Sequence, residues 1–359
     1  MRIALVHYWL VRMRGGEAVI KQMLDVTPEA DVYTNVYNAE GVKELFAGRD
    51  HPQTTWVDKL PLARKAYPLY MPLMPSALEQ LNLSDYDLVI SSEAGPAKWV
   101  IPSPSARHLC YVHSPMRYLW DQRFVYRDQV PWAFRPVFDV VTERLREKDL
   151  ISAGRVDEFI ANSSFVADRI KRYYRRDAVV IHPPVEVADF GPPVEPEDFY
   201  LWVGQLVSYK NIRHAVDACV RMGRRLVVVG DGSGRKYVEG LADKGVEYRG
   251  RVSREEMMDL MRRCRALLFP GLEDFGIVPV EVLAAGRPVI AYGKGGVVDS
   301  VTHGETGFFY GTPTVEALMR AIEEFEEWEP QFDPAVAQAH SRRFSAAAFR
   351  EKWGALIGR

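Results

Sequence analysis

The chain has 359 residues, 47% of them hydrophobic and 26% charged, a composition that belongs to folded domains and excludes wholesale disorder; at roughly 150 residues per domain there is room for about two. Its 46 Lys and Arg against 48 Asp and Glu leave a formal charge of −2, so no net positive field gathers phosphates and nucleic acid is not an expected partner. Three cysteines, Cys110, Cys219 and Cys264, lie far apart without a CxxC spacing, which excludes a disulfide scaffold or structural zinc site and fits a reducing, cytoplasmic setting.

In chain order, residues 3–8 form a short apolar run with no small-residue cleavage site after it. The run is too short for a bilayer and reads as a buried first strand. A loop with Gly15 and Gly16 follows, then helical spacing over 17–24, which together make one strand–loop–helix unit. Further strand-like runs are 88–91, 109–112 and 159–161, with a helix over 166–174. Residues 182–198 hold five prolines in seventeen positions; proline fixes φ and removes donors, so this stretch reads as an interdomain linker. The rhythm then restarts with strands at 200–203, 225–229, 266–269 and 288–291 and helices from about 212 and 279. Alternating strands and helices predict parallel sheets covered on both faces, in two successive doubly wound domains.

The densest chemistry lies in FPGLEDFGIVPVEVLAAGRPV at 269–289. Pro279 suits the first turn of a helix, which puts Glu281 in that turn and Glu273 in the loop before it. The amides of Phe275, Gly276, Ile277 and Val278 then face an anion site at a helix N-terminus. Carboxylates accept from hydroxyls and free amides donate to phosphate. The two side by side suit one ligand carrying both groups, a nucleotide sugar. The competing reading is a solvated loop glutamate and a second glutamate that complements the helix dipole.

Two glutamates separated by seven residues around F-G-I-V-P resemble the signature of retaining, family-four (group 1) glycosyltransferases of the GT-B fold. Other stretches are similar to motifs of that family, in the family's order. Gly15-Gly16-Glu17 resembles its first-loop glycine pair, and residues 111–121, YVHSPMRYLWD, resemble a segment of bacterial mannosyltransferase-like members. Asn162-Ser163-Ser164, Pro183-Pro184-Val185, the loop from Val203-Gly204-Gln205-Leu206 to Lys210-Asn211, Val229-Gly230-Asp231-Gly232 and Gly250-Arg251-Val252 continue the series. Where the family usually carries Arg this chain has Gln205, which donates hydrogen bonds but brings no charge. Lys210 is retained as a point charge, and Arg14 and Arg251 are available to compensate. Arg12-Met13-Arg14 also departs from the smaller residues common before the glycine pair.

The resemblance implies an α/β protein with two Rossmann-like doubly wound domains facing across a cleft: 1–185 for the acceptor, 186–340 for the nucleotide sugar, and 341–359 a C-terminal helix able to pack back on the first. It implies transfer of a hexose, with retention, to a hydroxyl of a glycan or lipid-linked acceptor in cell-surface polysaccharide or glycolipid synthesis. GDP-mannose is the favoured donor and a UDP-sugar the alternative. His113, Lys210 and Glu273 carry the catalytic roles. Gly15, Gly16, Gln205, Lys210, Arg251, Val252, the 275–278 loop and Glu281 bind the donor, Glu281 at its ribose and Glu273 at the sugar's distal hydroxyls. The nucleotide sugar is a co-substrate, with no metal, no other cofactor and no covalent intermediate. His113 follows the run 109–112 at its carboxyl end, where open α/β sheets hold ligands. Arg117, Tyr118, Trp120 and Asp121 read either as acceptor-binding residues or as a packed loop. Two other functions share these residues: a retaining glycoside hydrolase with Glu273 and Glu281 as nucleophile and acid/base, and a sugar-nucleotide binder without activity, for which Gln205 is the hint.

Three motifs stand apart. VVVGDGSG at 227–234 has a G-x-G-x-G spacing that a tight turn explains as well as a dinucleotide site does. Asp85-Tyr86-Asp87 looks like a metal-binding D-x-D but precedes a strand directly and reads as its polar lead-in. Residues 59–78 combine Lys59, Arg64 and Lys65 with Leu, Met, Tyr and four prolines. They are either an interfacial surface for peripheral association with an anionic membrane or a buried irregular connection.

Overall fold

Thirteen strands form two sheets in the computed structural model, which describes residues 1–359 except Asp189. In chain order they are β1 Ile3–His7, β2 Asp31–Thr34, β3 Gln53–Thr54, β4 Leu88–Glu93, β5 Arg107–Val112, β6 Glu158–Ala161 and β7 Ala178–Val180, then β8 Tyr200–Val203, β9 Leu226–Val229, β10 Val246–Gly250, β11 Ala266–Phe269, β12 Val289–Tyr292 and β13 Gly307–Tyr310. The first seven pair in the order β3-β2-β1-β4-β5-β6-β7 and the last six in the order β10-β9-β8-β11-β12-β13. Every pairing between these strands is parallel.

Both faces of each sheet are covered, which is why the central strands read as unbroken apolar runs. Tyr200 and Trp202 point into one cluster with Leu226 and Val228, while Leu201 enters the opposite cluster with Val227 and Val229. The period of two along each strand therefore divides its residues between two cores. Helices start where a side chain can cap them. Ser163, Ser253 and Thr314 each accept a hydrogen bond from an amide of the helix that follows, at Ser164–Tyr174, Arg254–Arg263 and Val315–Trp328, each cap contributing about 1 kcal/mol.

The chain divides into two compact units, Met1–His182 with Phe349–Arg359, and Pro183–Ala348. Of the stretch 182–198, expected as a linker, all but His182 is instead built into the second unit. The Val185 amide donates to the Phe344 carbonyl at 2.8 Å, and Phe190 is buried among Leu260, Val282 and Ala337. Prolines hold the backbone extended, and the apolar residues between them still find a core. The chain returns to the first unit within the last helix, Ala346–Ile357. There Phe349, Trp353 and Ile357, four residues apart, pack with Leu109, Tyr111 and Ile160 of the first sheet.

In each sheet the chain runs outward from a central strand and then restarts on that strand's other side. The order reverses between β1 and β4, and again between β8 and β11. Loops at the carboxyl ends of such strands diverge, which leaves a crevice where open α/β sheets bind ligands. Among the described residues no helix is long and apolar enough to cross a membrane.

Candidate active site

In the first unit the reversal point holds an imidazole–hydroxyl–imidazole chain. His7 ends β1 and lies in register with Ser92 of β4. The Ser92 hydroxyl is 3.0 Å from His7 Nδ1 and 2.8 Å from His113 Nε2. His113 itself directly follows β5, and its amide donates to the Glu93 carbonyl at 2.8 Å. Burial first, and then neighbouring His7, holds the His113 imidazole down to about 3, so it is neutral at pH 7. Gly16, in the first turn of the helix Gly15–Val26, lies against the same group. A Cβ at Gly16 would sit 3.1 Å from the Tyr8 hydroxyl and 3.7 Å from His113 Nε2. Gly16 and His113, distant in sequence, thus lie side by side. Ser92 escaped sequence reasoning. Its only signal is the polar tail Ser91-Ser92-Glu93 on an otherwise apolar run.

The segment after His113 is tied inward. Trp120 stacks on Tyr173 with ring centroids 4.7 Å apart, and its Nε1–H donates to Asp149 at 2.8 Å. Asp121 pairs with Arg169 at 2.6 Å, and the Tyr118 hydroxyl donates to Met116 Sδ at 2.8 Å. Of the two readings of this segment, the packed loop accounts for these three side chains. Beneath it, fully buried Lys98 bridges Glu93, at 2.5 Å, and Asp149. Burial pushes the Glu93 carboxyl up to about 7 despite that lysine. The backbone carbonyl of Glu93 anchors His113, so this buried cluster holds the strand end on which the histidine depends.

In the second unit, Lys210 closes the short turn Ser208–Lys210 after β8. Its Nζ lies 2.8 Å from Glu273 Oε1, with both side chains mostly buried at 15% and 21% exposure. Glu273 sits in the loop between β11 and the helix Ile277–Ala284. That helix begins two residues before Pro279, so Glu281 is its fifth residue and lies beyond the first turn in which it was expected. Gly276 is the cap, with φ of +85°, a left-handed backbone that a side chain would strain. Pro279 falls at the third helical position, where its missing N–H would have had no intrahelical partner. The first-turn amides of Ile277 and Val278 remain as donors at the positive end of the helix dipole.

The loop is held from behind by Gly295 and Gly296, which sequence reasoning also missed. The Gly296 amide donates to the Glu273 carbonyl at 2.9 Å, and a Cβ at Gly296 would lie 2.2 Å from the Asp274 carbonyl oxygen. The available signal was G-K-G-G directly after an apolar run. Phe275, by contrast, turns its ring into a core cluster with Val185, Val280 and Phe344.

Glu281 lines a cavity of about 290 Å³ with Val203, Val252, Arg254, Met257 and Met258. Burial raises the Glu281 carboxyl above its ordinary value, against the pull of Arg254. Apolar walls with one carboxylate suit a flat base and a ribose diol. Gln205 is exposed, and Arg251 is 79% exposed with only a 3.7 Å approach to Asp231. The G-x-G-x-G turn serves packing. The Gly234 amide donates to Leu206 at 2.9 Å and the Leu206 amide to Asp231 at 3.0 Å, which pins the loop that carries Gln205. Asp85 and Asp87 both face Arg2, at 3.2 Å and 2.7 Å. Among the described residues no group of three or more His, Cys, Asp or Glu side chains is placed to hold a metal ion.

Comparison with known proteins bears on both units. The family model described as Glycosyltransferase Family 4 matches residues 13–189, and that described as Glycosyl transferases group 1 matches 186–343. A D-inositol 3-phosphate glycosyltransferase of Streptomyces avermitilis is 30% identical over 243 residues, covering 58% of this chain and 50% of its own. The human alpha-1,3/1,6-mannosyltransferase ALG2 is 27% identical over 243 residues, covering 56% of this chain and 58% of its own. The chain spans about half the length of the curated relatives it matches. Among solved structures, Anabaena HepE in complex with UDP aligns over 100% of both chains with a TM-score of 0.68 at 17% identity. Sucrose-phosphate synthase from Thermosynechococcus elongatus aligns over 100% of this chain and 98% of its own, with a TM-score of 0.70 at 17% identity. At such identity the likeness is one of fold, and the fold is GT-B. With the two models adjoining across 13–343 and the reversal-point strands carrying the matching motifs, the chain belongs to the group 1, family 4 glycosyltransferases.

Proposed function

We propose that the protein transfers a hexose from a nucleoside diphosphate sugar to an acceptor hydroxyl, with retention at the anomeric carbon and without a metal. The observation that carries this reading is the Lys210–Glu273 pair, 2.8 Å apart, beside the N-terminus of the helix that bears Glu281. The cavity at Glu281 takes the nucleoside, and the amides of Ile277 and Val278 with Lys210 take the diphosphate. Glu273 accepts from the sugar's hydroxyls. As the anomeric C–O bond breaks, negative charge grows on the departing diphosphate, and fixed donors of this kind stabilise that charge without reorganising. The acceptor oxygen bonds to the anomeric carbon while its proton passes to the leaving phosphate oxygen. His113, hydrogen-bonded to Ser92 and neutral, keeps the catalytic role that the resemblance implies and adds no charge of its own.

GDP-mannose is the favoured donor, on the resemblance of residues 111–121 and the mannosyltransferase among the relatives. A UDP-sugar is the second reading, favoured by the UDP held in a protein of the same fold. The acceptor is a glycan or lipid-linked hydroxyl. A glycosidase needs two carboxylates facing one sugar, whereas Glu281 lines its 290 Å³ cavity without Glu273. Peripheral membrane association is part of the proposal. Residues 59–78 form short helical turns that leave Leu62 and Leu69 71% and 79% exposed next to Arg64 and Lys65, and binding to anionic but not neutral vesicles is the expected outcome.

Calorimetry with GDP, UDP and ADP tests the donor site. One nucleotide binds the wild type, and Glu281→Ala weakens it about tenfold or more through the lost ribose hydrogen bonds. Unchanged affinity in that variant refutes the assignment of the cavity.

A further inference from the structure

A second cavity, of about 700 Å³, lies in the first unit. Four cations line it, Arg12, Arg14, Arg64 and Lys65. Arg64 approaches Asp58 at 3.5 Å, while the Arg12, Arg14 and Lys65 side chains have no hydrogen bond or ion pair among the described residues. Four like charges around one cavity repel each other, and a chain of net charge −2 does not gather them by composition alone. Aromatic rings form a wall. Trp9 packs on Tyr67 with centroids 4.7 Å apart and edge-on to Tyr8 at 4.6 Å. Glu17, 3% exposed, also lines the cavity, and its Oε2 is buried without a hydrogen-bond partner.

The arginine loop is fixed before any ligand arrives. The Leu10 amide donates to Val36 at 2.8 Å, that of Asn38 to Leu10 at 2.8 Å, and that of Met13 to Gly41 at 3.0 Å. Little ordering remains for binding to supply. Such a cavity offers a flat apolar wall, a lone carboxylate acceptor and an excess of unpaired cations. Its complement is a molecule with a ring, a hydroxyl and at least two negative charges close together.

We propose that this cavity binds the acceptor, and that the acceptor carries a phosphate or diphosphate: the ring against Trp9 and Tyr67, a hydroxyl on Glu17, the phosphate on Arg12, Arg14 and Lys65. The inference rests on the glycosyltransferase reading for the word acceptor, but phosphate binding is measured independently of turnover. Neutral sugars leave Arg12, Arg14 and Lys65 uncompensated and bind poorly. The same chemistry is offered by a soluble sugar phosphate and by a lipid diphosphate headgroup.

The test is calorimetry on the full chain with glucose, glucose 6-phosphate and micellar farnesyl diphosphate against micellar farnesol. The expected result is binding of at least one phosphate probe and tenfold or more discrimination against its neutral counterpart. Arg12→Ala and Lys65→Ala each weaken that probe by about tenfold, and raised salt weakens it further. Arg172→Ala, on an exposed face of another helix, leaves it unchanged. Preference for glucose 6-phosphate assigns a soluble acceptor, and preference for farnesyl diphosphate a lipid-linked one. Equal affinity for phosphorylated and neutral probes, failure of both phosphate probes, or unaltered affinity in Arg12→Ala and Lys65→Ala overturns the proposal. Nucleotide titrations on the same samples keep the two claims apart: no binding of GDP, UDP or ADP sinks the transferase reading, whereas normal nucleotide binding with an indifferent basic cavity sinks only this inference.

Discussion

Replacing Lys210 by Met removes the positive charge paired with Glu273 while keeping most of the aliphatic stem. The pair is 2.8 Å apart and its side chains are 15% and 21% exposed. At an effective dielectric of about 20, unit charges 4 Å apart interact by about 4 kcal/mol; partial exposure to solvent reduces this to roughly 2–3 kcal/mol. In the free protein the charge serves Glu273, and in the proposed reaction it serves a diphosphate whose charge is growing. The lost stabilisation therefore appears mainly in the transition state, and kcat/KM falls about 30- to 150-fold with kcat taking most of the loss. Lys210→Arg keeps the charge but exchanges a compact ammonium for a planar fork, and is expected to recover part of the activity. The assay is nucleoside diphosphate release at saturating acceptor, with thermal unfolding as a control. A Lys210→Met protein that melts like the wild type and turns over within threefold of it refutes the electrostatic role.

Two other outcomes follow from the packing and the protonation states. A methyl group at Gly296 meets the Asp274 carbonyl at 2.2 Å and the Phe275 Cα at 2.3 Å, both backbone. Gly296→Ala should therefore displace the loop before the Ile277–Ala284 helix and cost about 1–3 kcal/mol of stability, with nucleotide affinity lost alongside; a wild-type melting curve contradicts the close approach. For pH, burial holds His108 down to about 4 and His113 down to about 3, against about 6.5 in an unfolded chain. Both folded values lie below the unfolded one, so the unfolded chain takes up more protons as pH falls. Stability is complete above about pH 6.5 and declines towards pH 4, by up to about 1.4 kcal/mol per pH unit for each histidine. Urea unfolding followed between pH 7 and 4 measures it, and a midpoint that does not move across that range contradicts neutral burial.

Residues 200–203, 266–269 and 288–291 were legible as strands, the last one residue early, because a parallel sheet covered on both faces demands uninterrupted apolar side chains. Edge strands make no such demand. Gln53–Thr54 is two residues long, and Val246–Gly250 includes Glu247 and Arg249, so neither announces itself. The motif around Glu273 was readable from its spacing, but the position of Glu281 was misjudged by two residues, about half a turn. Proline at the first or third helical position is equally tolerable on hydrogen-bond grounds, and the conformation of Gly276 decides between them. Ser92, Gly296 and Glu17 matter through partners in other elements: Ser92 between His7 and His113, Gly296 behind Glu273, and Glu17 beside His7 of β1. Such juxtapositions come from the strand order, which local periodicity does not encode. The four cations around the basic cavity likewise come from stretches near 12 and near 65 that only the folded chain brings together.

The central claim is transfer from a nucleotide sugar at the Glu273 site, and the most direct measurement of it is nucleoside diphosphate release by wild type and Glu273→Ala. Both are incubated with GDP-mannose, UDP-glucose and UDP-galactose in the presence of phosphorylated acceptors. One donor should yield acceptor-dependent release in the wild type, and Glu273→Ala should lose it by two orders of magnitude or more while still binding the free diphosphate. Turnover within threefold of wild type in Glu273→Ala, or release of free sugar without a nucleotide product from a simple glycoside, would contradict the account.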